Sequence, residues 1–226
     1  MLEAAERLYA LKGVDAASIR QINAEAGQKN GSAVHNHFGS REGLIDAILE
    51  LRTGARDKLR LEMLDALKEG AGDALPAIRG VAEAMVRPQF EELTLGARTC
   101  HRRFVKQVHQ RHELMDKVLS NRHDLGLRDC FRLIRRRLPE APTPILHHRC
   151  IHANANAIDS AANLEERLDI DPDSLTEQRI ALHIECCIDS IAGVFTAPIS
   201  AAAAALVGDR DKASPALERW RDRAVM

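Results

Sequence analysis

The sequence lacks the long apolar segments of a membrane protein and the paired cysteines of a secreted or zinc-binding one. No apolar run approaches about 18 residues, which argues against a membrane-spanning helix. Two acids interrupt the apolar pattern of the opening MLEAAERLYALKG, which argues against a signal peptide. The five cysteines include no CxxC pair, so reduced, buried thiols are expected instead of disulfides or a zinc knuckle. These absences favour a cytoplasmic location.

Aromatic residues are scarce, and the alternating β-branched runs that are typical of strands are missing. Aromatics make up 3% of the chain, and residues 1–100 contain only Tyr9, Phe38 and Phe90. Apolar residues recur instead at three- and four-residue steps, which is the spacing of one face of a helix. The sequence therefore predicts an all-α protein.

The common catalytic signatures are also absent. The chain has no nucleophile elbow, phosphate-binding loop, dinucleotide fingerprint or HExxH motif, so it is not expected to be an enzyme. Residues 1–50 carry 5 Lys or Arg against 7 Asp or Glu. This balance argues against purely electrostatic nucleic-acid binding, but it allows a small, local surface that contacts nucleic acid. A helical metal-binding or protein-interaction protein remains the alternative.

Turn and capping residues predict four helices near the amino terminus. A glycine past an apolar stretch is a common helix end, and a Ser-x-x-Gln pattern is a capping box at a helix start. A serine can also cap the long fourth helix. The first predicted helix ends at Gly13. The second runs from Ser18, which forms the capping box with Gln21, to Gly27. The third spans about Gly31 to His37, and the fourth runs from Ser40 to about Leu67. A further break is predicted at Pro88.

The second and third helices have the proportions of a helix-turn-helix. In that motif the second helix lies in the major groove of DNA, so its outward face must carry hydrogen-bonding groups. Ala33, Val34 and Phe38 are expected to anchor it to the first two helices. The residues left for bases and phosphates are Lys29, Asn30, Ser32, His35, Asn36 and His37, with Gly31 admitting close backbone approach. A polar surface loop between helices is the alternative interpretation.

From Met1 to about Leu51 the chain resembles the DNA-binding domain of the tetracycline-repressor (TetR) family of bacterial transcription regulators. AAERLYALKGVDAASIRQINAEAG is similar to the first helix, glycine turn and supporting helix of that family. VHNHFGSREGLIDAILE resembles the end of the recognition helix and the start of the fourth helix. The resemblance implies a DNA-binding domain at 1–51 and a helical effector-binding and dimerisation domain at 52–226. It also implies a homodimeric, ligand-responsive repressor of a palindromic operator, with an unknown small-molecule effector.

Two of the chain's departures from the family pattern affect the expected DNA contacts most directly. Its turn between Gly27 and Phe38 is one residue longer than is common, so base contacts do not transfer by position. The usual basic arm before the position of Met1 is missing, which suggests a truncated or misassigned start, or weaker binding to the DNA backbone.

Contact roles can still be predicted chemically. Ser18 and Arg20 lie at the positive amino-terminal end of the supporting helix, where a phosphate is favoured. Arg41 lies at the start of the fourth helix, and the flexible stem of Lys29 suits a phosphate better than a base. The side chains predicted to reach base edges are Asn30, Ser32, His35 and Asn36.

The rest of the chain offers weaker signals. The resemblance implies dimerisation through the segments Thr143 to Leu164 and Leu175 to Leu206. The second has a wide apolar stripe, for which ordinary core is the alternative: Ile180, Ile184, Ile188, Ile191, Ala192 and Phe195. An effector pocket is predicted from apolar residues with a few polar tips, and plain core is again the alternative: Met85, Phe90, His101, Phe104, Val108, Phe131 and Asn154. The fourth helix would carry movement from this pocket to the DNA as a tilt.

Two histidine pairs have the spacing of neighbours on one helical face. His109 and His112 are three residues apart, and His148 and His152 are four apart. The ExxH pairs of di-iron bundles are missing. The sequence therefore predicts no metal site and no cofactor, and these histidines are expected to be ordinary helix residues.

Overall fold

The computed structural model describes residues 1–28, 30, 32–94, 99–111 and 125–207. Throughout these residues the regular structure is helical and strands do not occur, which confirms the all-α prediction. The α-helices are α1 (Leu2–Lys12), α2 (Ile19–Glu25), α3 (Ala33–Phe38), α4 (Arg41–Ala71), α5 (Ile78–Thr94), α6 (His101–His109), α7 (Leu125–Arg137), α8 (Thr143–Ile170), α9 (Glu177–Thr196) and α10 (Ala201–Ala205), and a 3₁₀ turn spans Pro172–Ser174.

Most of the predicted helix boundaries at the amino terminus are confirmed. Gly13 follows α1 with a φ of 88°, a backbone conformation that residues other than glycine rarely adopt. The Ser40 hydroxyl accepts a hydrogen bond from the backbone N–H of Gly43, which caps α4 as predicted. Two expectations were wrong. α3 starts at Ala33 instead of Gly31, and α5 continues through Pro88, where the break was expected.

Pro88 is tolerated because the packing of α5 outweighs one lost backbone hydrogen bond. Val86, Gln89 and Phe90, on either side of it, are all buried. The proline therefore lies within a buried part of the helix.

The described residues divide into two compact units. The first contains those of Met1–Arg56, Gln89–Asp124 and Ile158–Glu177. Its core combines the first four helices with α6, although α6 starts 60 residues after the start of α4 in the sequence. The fully buried members are Ala5, Tyr9, Ala17, Ile22, Val34, Leu44, Ile45, Ile48, Phe104 and Val108. A boundary at residue 51 stays a prediction, but the core of the amino-terminal helices extends beyond that residue.

The second unit contains the described residues of Asp57–Pro88, Leu125–Ala157 and Gln178–Met226. The Arg149 guanidinium donates to the Phe195 carbonyl oxygen over 2.8 Å, which joins α8 to α9. Ile184, Ile188 and Ile191 on α9 are buried within the chain itself. Most of the apolar stripe of α9 is therefore buried within the chain.

Among the described helices, none is long and apolar enough to cross a membrane.

Candidate nucleic-acid interface

The start of α2 is fixed by a complete capping box. The Gln21 N–H donates to the Ser18 hydroxyl over 3.2 Å, and the Ser18 N–H donates to Gln21 Oε1 over 3.0 Å. Both predicted phosphate contacts at this helix start, Ser18 and Arg20, are exposed. Arg20 forms no hydrogen bond or ion pair with a described residue. Its guanidinium is therefore available to a phosphate.

Helix α3 divides sharply into a buried and an exposed face. Ala33 and Val34 are at most 4% exposed, and Phe38 packs against the same core. These three residues are the predicted anchors, so their placement is as expected. The side chains on the other face are all exposed: Ser32, His35, Asn36 and His37. Hydrogen-bonding groups on a short exposed helix above a packed core are the arrangement that reads base edges.

The turn before α3 uses one of its predicted contact residues internally. The Asn30 Oδ1 accepts a hydrogen bond from the Ser32 backbone N–H over 2.9 Å. This bond satisfies an N–H at the start of α3 and leaves the amide nitrogen of Asn30 for other partners. Lys29 and Gly31, also predicted contacts, lie outside the described residues.

Arg41 has a structural bond that the sequence did not indicate. Its Nη1 donates to the Val14 carbonyl oxygen over 2.8 Å, so the start of α4 is tied to the turn between α1 and α2. Arg111, two residues past the end of α6, holds the same turn, because it donates to the Asp15 carboxylate over 2.5 Å and 3.0 Å. The hydrogen bond from Arg111 lowers the pKa of Asp15. The turn that leads into α2 is thus held by two arginines, one at the start of α4 and one just past the end of α6.

Beneath the exposed face, α6 packs directly on α1. The Phe104 and Tyr9 rings stack with centroids 6.0 Å apart, and both side chains are fully buried. Burial raises the pKa of Tyr9 to about 12. Aromatic pairs of this kind contribute about 0.5–1.5 kcal/mol beyond the area that they bury. Helix α6 is therefore a structural part of the DNA-binding region.

A buried polar contact joins the same two helices. The His101 Nδ1 lies 2.8 Å from Glu6 Oε1, and Arg52 of α4 donates to Glu6 Oε2 over 2.9 Å. His101 is 1% exposed and Glu6 3%. Burial, and next the nearby positive charge of Arg102, hold the pKa of His101 well below its usual value. The imidazole is therefore neutral, with Nδ1 carrying the proton that it donates to Glu6.

Sequence reasoning missed the role of Glu6, although the sequence contained a signal for it. Glu6 lies three residues before Tyr9 and four after Leu2, within the inner face of α1. An acid at such a position requires a buried partner. The partners, His101 and Arg52, are too far along the chain to be paired with it by spacing alone.

The residues predicted to line an effector pocket fall into the two units. Phe90, His101, Phe104 and Val108 belong to the first unit, and Met85, Phe131 and Asn154 to the second. Phe104 and Val108 are members of the core around α1. Met85 and Phe90 are also buried, whereas Phe131 and Asn154 are half-buried. A ligand-binding role for this set stays a prediction.

Comparison with known proteins supports the interpretation of the amino terminus. Residues 1–48 match the family model of the bacterial regulatory proteins of the tetR family. No curated protein matches the chain. The matched region contains the capped α2, the two-faced α3 and the start of α4, which form the helix-turn-helix and its support. Residues 1–48 therefore form a DNA-binding domain of the tetR family type, and the chain is a DNA-binding transcriptional regulator.

Proposed function

We propose that the protein is a ligand-responsive repressor that binds a palindromic operator as a homodimer. The observation that carries this proposal is the two-faced α3, with Ala33 and Val34 buried and His35, Asn36 and His37 exposed, within a region that matches the tetR family. The proposal includes a cytoplasmic location and no catalysis. It assigns DNA binding to residues 1–51, and effector binding and dimerisation to residues 52–226.

Selection of bound duplexes from a random pool tests the DNA-binding part. Two-fold symmetry of the protein must be mirrored by inverted half-sites about one helical turn or more apart. We expect inverted repeats among the selected sites. Selected sites without this symmetry contradict the homodimer on DNA, and no enrichment contradicts specific binding. Placing the strongest site upstream of a reporter then distinguishes repression from activation.

Exposed apolar residues on α8 and α9 support dimerisation through these helices. Leu182 is 63% exposed and Ile151 44%, whereas Ile184, Ile188 and Ile191 of the α9 stripe are buried within the chain. Asp at Ile188 would therefore disrupt the core of one protomer and is unsuited as a test of dimerisation. A stable dimer needs an interface of about 1,000 Å² or more, so these two side chains can only be part of it.

Leu182→Asp is the sharper test of the dimer. An aspartate there costs little in a monomer but places a charge in the proposed interface. We expect a folded monomer by analytical ultracentrifugation. Leu51→Asp is the matched control, because Leu51 is 58% exposed on α4 and lies outside α8 and α9. A dimer that survives Leu182→Asp contradicts this interface.

The contacts between α6 and α1 supply a route by which an effector could release DNA. Shifting α6 would strain the Phe104–Tyr9 stack, the His101–Glu6 bond and the Arg111–Asp15 pair. Helix α4, 31 residues long, starts beside the recognition helix and spans about 46 Å. Helix α4 is a second route, because a tilt of this helix would move the end that lies beside α3.

Effector coupling has a reciprocal signature. A ligand that weakens DNA binding must itself bind less tightly to the DNA complex, by the same factor. Once an effector is found, its affinity should be measured by calorimetry with and without operator DNA. Equal affinities contradict the ligand-responsive part of the proposal and leave the DNA-binding part intact.

A further inference from the structure

Helix α8 presents two imidazoles side by side on its exposed surface. His148 and His152 are one helical turn apart, and their ring centroids are separated by 6.4 Å. Both side chains are exposed, and neither forms a hydrogen bond with a described residue. The next ring, His147, points in another direction around the helix and is half-buried. The pair thus offers unoccupied ring nitrogens on one face.

This spacing suits a shared metal ion. Histidines four residues apart on a helix are a known way to place two imidazoles on one zinc ion. With Zn–N bonds of about 2 Å in a tetrahedral site, the centroids of two ring ligands lie roughly 5 Å apart. The exposed side chains need to approach each other by about 1 Å to reach that separation, which a small rotation of either ring achieves.

One copy of the chain supplies too few ligands for a closed site. A structural zinc ion takes four protein ligands, and no cluster of three or more His, Cys, Asp or Glu suited to a metal occurs in the described part of the chain. Ile151, between the two histidines in sequence, is 44% exposed on the surface that carries them. An apolar residue beside the pair favours contact with another protein surface over continuous exposure to water.

We propose that two copies of the chain bind one zinc ion between them, through His148 and His152 of each copy. The inference rests on the proposed homodimer, because a two-fold axis passing near these residues turns two imidazoles into four. It departs from the sequence-based expectation that no metal is bound. Zinc binding then favours the dimer, because the complete site exists only in the paired state. Operator binding by that dimer becomes zinc-dependent.

Zinc binding to the full-length protein tests the proposal. After treatment with a chelator and dialysis, the protein is titrated with zinc in a calorimeter, and its metal content is measured at saturation. We expect one zinc ion for every two chains. His148→Ala/His152→Ala should weaken zinc affinity by at least about tenfold. His35→Ala/His37→Ala removes two exposed imidazoles from another helix and should leave the zinc affinity unchanged.

Sedimentation with zinc and with a chelator separates this inference from the proposed function. We expect zinc to tighten dimerisation of the parent protein and not of His148→Ala/His152→Ala. If the protein dimerises and binds DNA but zinc has no effect, only the zinc site is wrong. If zinc binds at one ion per chain, or equally well to the double variant, the shared site is also wrong. If no dimer forms under either condition, the zinc site and the proposed dimer fail together.

Discussion

Helices α3 and α6 are both short and rich in polar residues, yet they use them in opposite ways. In α3 the histidines His35 and His37 are exposed, and burial is limited to Ala33, Val34 and part of Phe38. In α6, by contrast, the polar His101 and Arg102 are buried together with two apolar residues. One helix exposes its hydrogen-bonding groups, and the other uses them within the fold.

The difference lies in the partners that the fold provides. His101 has the Glu6 carboxylate 2.8 Å away, which offsets part of the cost of burying a polar ring. His35 and His37 have no carboxylate beside them in the described structure and remain in water. Residue type alone therefore does not separate an exposed histidine from a structural one.

The largest expected effect tests whether α6 belongs to the core of the DNA-binding region. Phe104→Ala removes a fully buried ring that stacks on Tyr9, so we expect the free energy of unfolding to fall by about 3–5 kcal/mol. Urea denaturation followed by circular dichroism measures this change. Leu11→Ala is the control, because Leu11 is 54% exposed on α1 and should change stability by no more than about 0.5 kcal/mol. Similar effects from both variants would contradict the comparison between the two helices.

A smaller effect is expected at Arg41, which combines a structural bond with a predicted phosphate contact. Arg41→Ala removes the charged donor to the Val14 carbonyl and should lower stability by about 1–2 kcal/mol without DNA. It should also weaken binding to all DNA sequences and reduce the salt slope by about one unit. Denaturation and salt-dependent binding assays measure the two effects separately.

Arg20→Ala is the matched control for Arg41. Arg20 is exposed and has no described partner, so its loss should reduce the salt slope and leave stability unchanged. If Arg41→Ala also leaves stability unchanged, the bond to Val14 contributes nothing. If its salt slope equals that of the parent, Arg41 does not contact a phosphate.

Local patterns in the sequence were sufficient for the helix-turn-helix. The Ser18 capping box, the Gly13 turn and the anchors Ala33 and Val34 each depend on residues within a few positions of one another. Such patterns fix helix ends and faces without knowledge of the fold. The early start predicted for α3 failed because a hydrogen bond from the Ser32 N–H to Asn30 extends the turn.

Contacts between distant segments could not be predicted in this way. The spacing of His101, Phe104 and Val108 indicates one face of α6, and a pocket lining and a helix-packing face share that pattern. The structure places this face against α1. Likewise, the α9 stripe gave no indication of whether it packs within one chain or between two.

The pH dependence of stability tests the comparison between α3 and α6 at the buried His101. Because the pKa of His101 lies well below its ordinary value in the folded protein, the unfolded chain binds the proton more readily. Stability should therefore fall as pH drops below about 6.5, by at most about 1.4 kcal/mol per pH unit from this residue. His101→Asn should flatten that slope between pH 7 and pH 5, as measured by urea denaturation at each pH. A slope that His101→Asn does not alter would contradict the buried neutral imidazole.

The smallest effect on stability, and the sharpest on specificity, is expected at Asn36. Its side chain is exposed on α3 and has no described partner, so Asn36→Ala should change the free energy of unfolding by no more than about 0.5 kcal/mol. An asparagine that reads an adenine contributes about 1–3 kcal/mol of discrimination between bases. We therefore expect the DNA sites selected by Asn36→Ala to lose their preference at one position of each half-site, with the preference elsewhere retained. Arg20→Ala should instead weaken all sites alike, because a phosphate contact carries no sequence information. If the two variants select the same sites with the same loss of affinity, the exposed face of α3 does not read bases, and the contrast with α6 reduces to one of burial alone.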